Sequence, residues 1–259
     1  MTKSFKPVSS RYQQAETVSR PAFTGNPPAS PDFAPLRKGG APVTPAYLDE
    51  IYYWAYLSPR NVRWLDHEIV VRLILWQQHV KLRNAAFAEI EPGQKVLQST
   101  CVYGDFLPLL ADLVGPEGHL DLVDVAEVQL RNAWRKLKHY PNVSLHHANA
   151  LNLDDSTYDS VICYFLLHEI PDQDKRIAVN GLLRKVRPGG QLIFIDYHKP
   201  HWAHPLKAIT SFVFDTLEPF AKGMWKTEIQ DLAEEPDLFR WKKQRVFGSL
   251  FQKVVAQRL

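Results

Sequence analysis

A chain of 259 residues, 45% of them hydrophobic and carrying a net charge of +3, holds the material for one α/β domain with extensions and a full apolar core. Its basic residues are spread out rather than clustered, so nothing in it calls for nucleic acid. Its two cysteines make no disulfide framework and favour a reducing compartment. No uninterrupted apolar run reaches the about 18 residues of a membrane span; the nearest, Ile69 to Val80, is broken by Arg72, Gln77, Gln78 and His79.

Residues Met1 to about Pro45 are expected to form a disordered tail. Pro21, Pro27, Pro28, Pro31, Pro35, Pro42 and Pro45 deny it helix and sheet. Its few aliphatic residues cannot offset the entropy of ordering it. At its start, Lys3, Lys6, Arg11 and Arg20 stand against the acid Glu16. That pattern reads either as a solvated tail or as a mitochondrial address.

A helical cap is expected over residues 46–90. Leu48, Ile51, Tyr52, Ala55 and Tyr56 keep helical spacing, with Tyr53 and Trp54 beside them, and Ser58-Pro59 ends the run. One second helix is expected from about Trp64 to Glu89, with Ile69, Leu73, Trp76 and Val80 on a single stripe. Trp76 reads as core. Tyr52, Tyr53 and Tyr56 read either as core packing or as a flap over a flat, apolar substrate.

Pro92-Gly93 turns the chain into a buried strand that ends at Gln98. The tight turn Ser99-Thr100-Cys101-Val102-Tyr103-Gly104 follows, and then a helix from about Asp105 to Val114. A strand, turn and helix opening a βαβ unit is where nucleotide-like cofactors bind, because the helix N-terminus offers free N–H groups. His119 to Asp124 reads as the second strand, Val143 to Ala148 as the third and Tyr158 to Phe165 as the fourth. Leu130, Ala133, Trp134 and Leu137 mark one amphipathic helix, and Val179, Leu182, Leu183 and Val186 the next. Arg187-Pro188-Gly189-Gly190 stops that helix and leads into the fifth strand, Gln191 to Tyr197. A mostly helical insertion is expected from about residue 206 to 232. Phe239–Phe247 and Ser249–Gln257 should then pair as an antiparallel hairpin across Gly248. The expected fold is α/β, a seven-stranded and mostly parallel sheet with helices on both faces, over residues 91–259.

From about Glu89 to Leu259 this order resembles the class I S-adenosylmethionine (SAM) methyltransferases, whose fold is Rossmann-like. The resemblance rests on Gly104, Asp124, the Asn149-Ala150 segment, Asp159, the Pro188-Gly189-Gly190 turn and the closing hairpin. The run Asp196-Tyr197-His198-Lys199-Pro200 is similar to a segment of quinone-ring C-methyltransferases. It implies SAM lying over Thr100–Gly104, its ribose on Asp124 and its adenine by Asn149 and Ala150, with Gln98 and Tyr164 completing the site. Residue chemistry agrees in part. A carboxylate suits a vicinal diol and an amide suits adenine, although Asp124 also fits a helix N-terminus and Asn149 a turn.

In three departures, Gln98 for an acid and Thr100 and Val102 for glycines, the chain resembles the rhodoquinone-biosynthesis (RquA) family. Each departure removes a charge or adds a Cβ where backbone would approach the ligand. The resemblance implies conversion of ubiquinone to rhodoquinone: a ring methoxy group is replaced by an amino group, with SAM as amino donor and a divalent metal, manganese, assisting. Such a lipid substrate implies a peripheral enzyme on the membrane surface. It would be cytoplasmic on the inner respiratory membrane, or mitochondrial in a eukaryote.

On this reading His168, Asp196 and His198 are the catalytic and metal-binding candidates. Asp196 and His198 would share one face of the fifth strand, and His168 would come from the loop after the fourth. Mixed carboxylate and imidazole ligands are compatible with manganese; otherwise these are ordinary loop histidines. Tyr52, Tyr53, Tyr56, Phe212 and Trp225 are the candidates for holding a flat ring and apolar tail. Cys101 and Cys163, on neighbouring strands, read as a redox pair or as two buried thiols. Two other functions fit the fold: an ordinary SAM-dependent quinone methyltransferase, and a non-catalytic SAM-fold binding protein.

Overall fold

Alternation along each strand decides which helices it carries. Val96, Ile162, Ile193 and Ile195 face one layer, and Leu97, Val161, Cys163, Leu192 and Phe194 face the other. The computed structural model describes residues 44–259 apart from Asp154 and Ser156. The expected tail and its possible address therefore lie outside the described residues, but for its last two positions. The strands are β1 (Lys95–Gln98), β2 (His119–Asp124), β3 (Val143–His147), β4 (Tyr158–Tyr164), β5 (Val186–Tyr197), β6 (Phe239–Val246) and β7 (Phe251–Arg258). They form one sheet in the order β3-β2-β1-β4-β5-β7-β6. All pairs are parallel except those of β7, which runs antiparallel to both β5 and β6. The order reverses direction between β1 and β4, and a crevice opens there at the carboxyl ends of the strands.

Before the sheet come α1 (Ala46–Glu50), a π-helical turn (Tyr53–Leu57), α2 (Pro59–Leu65), α3 (Glu68–Ile74) and α4 (His79–Phe87). Between strands lie α5 (Phe106–Val114), α6 (Glu127–Leu137) and α7 (Asp172–Lys185). After β5 the insertion holds α8 (Lys207–Thr216) and short 3-10 turns at Ala221–Trp225 and Ile229–Leu232. Leu82, Phe87, Leu107, Leu110 and Leu137 bury one face of the sheet, and Ala178, Val179, Leu182 and Leu183 of α7 bury the other. No described helix is long and apolar enough to cross a membrane.

Two local expectations change. The single helix expected over 64–89 is three helices. The first break falls at Asp66, whose carboxylate turns inward to accept from the Gly104 N–H at 2.9 Å and from Lys136 Nζ at 2.7 Å. The second falls at Trp76 and Gln77, both at positive φ. The stripe therefore does not stay together: Trp76 packs against the core, while Ile69 is 71% and Leu73 65% exposed. Periodicity saw an amphipathic helix, and the tertiary anchor at Asp66 broke it. The fifth strand starts five residues early, at Val186, with a register shift opposite Tyr158 and Ser160. Glycine is required in that segment, since a Cβ on Gly190 would stand 2.7 Å from the Asp159 carbonyl oxygen.

Candidate functional site

The crevice is a cavity of about 740 Å³ running from the carboxyl ends of β1, β2 and β3 to the cap and the insertion. Its cofactor end is lined by Thr100, Cys101, Asp124, Asn149 and Ala150, with Tyr164 nearby. Asp124 is nearly saturated within the chain. Its Oδ2 accepts from Thr100 Oγ1 at 3.0 Å and the Cys101 N–H at 2.8 Å, and its Oδ1 from the Ala126 N–H at 2.8 Å. Burial pushes this carboxyl up, and it stays above its ordinary value although those donors oppose the shift. A carboxylate offers about four acceptor positions, so room remains for a ligand hydroxyl. Asn149 caps the next turn, its Oδ1 accepting from the Leu151 N–H at 3.0 Å. This donor and acceptor set, beside a cavity of this size, fits an adenosine-bearing cofactor.

Gln98 and Gly104 do not line the cavity. Gln98 is buried under the turn, where its Nε2 donates to the Thr100 carbonyl at 3.0 Å. Gly104, at φ +76°, has its N–H held by Asp66. The turn is clamped from the cap by Tyr103 as well. Its hydroxyl donates to the Ala55 carbonyl at 2.6 Å and accepts from Gln129 Nε2 at 2.6 Å, and its ring stacks on Tyr56 with centroids 6.1 Å apart. Tyr56 lies on the π-helical turn, a rare geometry that recurs at functional sites.

The other end of the cavity is polar. His168 lies in a 3-10 turn after β4, and its Nδ1–H donates to Asp196 Oδ1 at 3.0 Å. Burial alone would lower this imidazole, but the Asp196 carboxylate outweighs it and holds the group up to about 9. Asp196 is itself fixed by N–H groups of Leu167 at 2.9 Å, His168 at 3.4 Å and Tyr197 at 2.7 Å. It sits behind His168 rather than in the cavity wall. Glu169 accepts from the Tyr56 hydroxyl, and one of its oxygens lies 3.7 Å from His168 Nε2. Burial raises this carboxyl to about 8, the His168 charge opposing it. Glu218, from the chain just past α8, faces the same space.

His198 is not brought to this pair. Its Nδ1 lies 3.1 Å from the Ser249 carbonyl oxygen and its Nε2 3.7 Å from Glu228, outside the cavity lining. The chain leaves the ladder after Tyr197, so the alternation that would align 196 with 198 no longer holds. With four donors on Asp196 and His198 elsewhere, the expected metal triad does not assemble. Among the described residues, no group of three or more His, Cys, Asp or Glu side chains is placed to hold a metal ion.

The aromatic candidates divide. Tyr56 lines the cavity. Tyr52 is fully buried, Tyr53 is exposed, and Trp225 packs 5.5 Å from Phe214; none of the three is in the wall. Phe212 is 69% exposed and points outward. The insertion instead lends Thr210, Val213, Phe214, Leu217 and Glu218 to the wall. An unbroken helical reading of 206–217 places Phe214 inside and Phe212 outside only once the facing surface is known. Cys101 and Cys163 are free thiols, Cys163 being buried.

Comparison with known proteins gives a consistent picture. The model of the ubiE/COQ5 methyltransferase family matches residues 67–251. A demethylmenaquinone methyltransferase of Listeria welshimeri is 30% identical over 163 residues, covering 60% of this chain and 68% of that protein. The ubiquinone/menaquinone biosynthesis C-methyltransferase UbiE of Pasteurella multocida is 36% identical over 128 residues, covering 48% of this chain and 47% of that protein. Among solved structures, a SAM-dependent methyltransferase of Aquifex aeolicus is similar with a TM-score of 0.51 and 21% identity, over 78% of this chain and 99% of that one. Human N-acetylserotonin methyltransferase in complex with SAM is similar with a TM-score of 0.53 and 14% identity, over 82% and 62%. These structures establish the methyltransferase Rossmann-like fold.

Proposed function

The chain belongs to the ubiE/COQ5 methyltransferase family, and from that premise we propose that it modifies the ring of a ubiquinone-type quinone with SAM, replacing a methoxy group by an amino group. The observation that carries the choice of reaction is the His168–Asp196 pair at the end of the cavity away from Thr100 and Asp124. An imidazole held up to about 9 is a proton donor at neutral pH. Methylation of a ring carbon needs a base that takes a proton from a ring hydroxyl. Amination needs the opposite. A nitrogen adds at the methoxy-bearing carbon, negative charge grows on the quinone oxygen, and a cationic His168 stabilises it. The exchange would form a ring C–N bond and break the C–O bond, methoxy leaving as methanol with a proton from the amine. The donor's own N–Cα bond must break as well, which balances if the C–H electron pair of that α-carbon reduces the quinone and water takes the carbon off as a 2-oxo acid. SAM, when bound, supplies the nitrogen; Thr100, Asp124 and Asn149 would hold its adenosine.

Conventional C-methylation is the second reading, favoured by the names of the relatives. Incubating the protein with SAM and either ubiquinone or a demethylated quinol that keeps a ring C–H, each with and without manganese, and weighing the products separates the two. Ubiquinone, fully substituted on its ring, can show only methoxy-to-amine exchange, while the quinol can gain a ring methyl. Methylated product alone would overturn amination, and an unchanged quinone would overturn both.

The apolar tail of such a substrate keeps it in a bilayer. Ile69 and Leu73 of α3 and Ile209 and Phe212 of α8 are exposed, and Leu73 also lines the cavity. These residues would rest on the membrane surface, the chain acting as a peripheral protein. Sedimentation with phosphatidylcholine–phosphatidylglycerol vesicles should lose most of the bound protein on Ile69→Ser with Phe212→Ser. Undiminished binding would remove this surface.

A further inference from the structure

Five carboxylates line the cavity: Asp105, Asp124, Glu169, Asp174 and Glu218. Asp105 is paired with Arg83 at 2.6 Å, and Asp124 is held by the Thr100 hydroxyl and two backbone N–H groups. Glu169 accepts from the Tyr56 hydroxyl and Glu218 faces the Tyr52 hydroxyl, both neutral groups, so neither carboxylate has a dedicated cation. His168, the cation near them, is committed to Asp196 through Nδ1 and stands 3.7 Å from Glu169 through Nε2. Glu218 Oε2 is buried with no hydrogen-bond partner. On the same wall, Thr210 is 2% exposed, and its hydroxyl is also buried without a partner. Thr210 and Phe214 share one face of α8, and Glu218 follows just past its end. A buried polar atom without a partner is rare in a folded chain, and several facing one cavity point to a ligand.

The cofactor end lacks what this end has in excess. β1 ends in Gln98, an amide whose Nε2 is spent on Thr100, so no carboxylate comes from that strand. We propose that Glu169 and Glu218 together bind the cationic end of the cofactor, its sulfonium and ammonium groups, across the cavity from Thr100 and Asp124. The proposal rests on the reading that SAM is the cofactor. Its physical basis is that two carboxylates sharing a poorly solvated space are unfavourable alone and favourable around a cation. Burial raises both carboxyl groups, with the His168 charge opposing it, as expected of acids whose counterion is the ligand. Thr210 would accept or donate one further hydrogen bond to the same end.

Calorimetric titration with SAM and with 5′-methylthioadenosine tests this, because the second ligand keeps the adenosine and lacks both positive charges. Glu218→Gln and Glu169→Gln preserve shape and remove charge. Each should weaken SAM about tenfold, and the double variant more, as expected for a charge-assisted contact, while 5′-methylthioadenosine binds as it does to the parent. Unchanged SAM affinity in both variants overturns the proposal. So does equal weakening of the two ligands, which would place the effect at the adenosine end or in the fold. A parent protein that binds neither ligand would defeat the cofactor reading itself.

Discussion

The two ends of the cavity are built differently. At the cofactor end, the polar groups around the ligand are held by the chain: Asp124 by three donors, the Asn149 oxygen by Leu151, the Gly104 N–H by Asp66, while Gln98 Oε1 and Ser99 Oγ at the foot of the turn are buried without partners. These groups hang on β1, β2 and β3, whose ladders fix them before any ligand arrives. At the ring end, the cap and the insertion supply the walls, and Thr210 and Glu218 keep polar atoms without partners. One end is pre-formed and the other is completed by what binds there. Substitutions of the His168–Asp196 pair should therefore damage turnover with the fold and SAM affinity kept, whereas those at the cofactor end should damage affinity and the fold together. Glu169 and Glu218, which face the ligand without being part of a ladder, should affect SAM affinity but not that of its uncharged adenosine analogue.

The sharpest way to break that contrast is Asp196→Asn. The amide would keep the shape but lose the charge that holds His168 protonated. Turnover should fall roughly 10²–10⁴-fold, the range of a positioned acid–base group, while the SAM dissociation constant stays at the parent value. In the parent, activity should decline as pH rises through about 9, the position of His168. A base-driven methylation would instead gain activity over the same interval. At the cofactor end, Asp124→Ala should weaken SAM by an order of magnitude or more, losing ~1.5–3 kcal/mol of charge-assisted hydrogen bonding. It should also lower the melting temperature, since the Cys101 and Ala126 N–H groups lose their acceptor. Normal SAM affinity in the folded variant would remove Asp124 from the site.

Stability against pH sharpens the same comparison, because the ring end holds the groups that titrate near neutrality. The His168 imidazole is raised from 6.5 to about 9, so its contribution is whole below 6.5 and is lost as pH rises through 9. Glu169 is raised from 4.5 to about 8. Its neutral form costs nothing below 4.5, and burying its charge becomes unfavourable as pH climbs toward 8. In both cases the folded chain binds more protons than the unfolded one, so stability falls with rising pH. The melting temperature should drop between pH 6.5 and 9 and drop less in Glu169→Gln. A rising or flat curve in the parent would contradict the buried placement of the pair.

The cofactor end was legible in the sequence because strand and turn are local. Thr100, Asp124, Asn149 and Ala150 follow apolar runs whose direction and end fix where they emerge. The succession of strands and the closing hairpin across Gly248 were legible in the same runs, whereas their lateral order, with β7 between β5 and β6, is set by long-range pairing that no run announces. The ring end was not legible in this way. His168 and Asp196 meet because β4 and β5 pair side by side, which the notion of neighbouring strands supplied. His198 was misplaced because alternation does not survive the end of a ladder. Tyr103 and Asp66 were not singled out at all. Their roles are contacts between segments 26 to 48 residues or more apart, and no spacing in the sequence announces them. Glu218 likewise carried no signal beyond a single acid in an aromatic segment.

The smallest effect should come from Tyr103, which ties the two ends together. Tyr103→Phe removes the hydroxyl that donates to the Ala55 carbonyl and accepts from Gln129, but leaves the ring stacked on Tyr56. Gln129 keeps its contact with the Tyr56 carbonyl at 3.1 Å. The loss is then one neutral hydrogen bond and part of another, so unfolding free energy should fall by ~0.5–1.5 kcal/mol. Function should be more sensitive than that figure suggests. Ala55 and Tyr56 share the π-helical turn, and Tyr56 is the donor that holds Glu169. Loosening that turn should raise the apparent KM for quinone while SAM affinity stays near the parent value, because the Asp66 and Lys136 clamp on the Gly104 segment remains. Urea unfolding and steady-state kinetics on the variant read the two effects separately. If SAM affinity and quinone KM shift together, the cofactor turn and the cap act as one unit, and the contrast between a pre-formed end and a ligand-completed end fails.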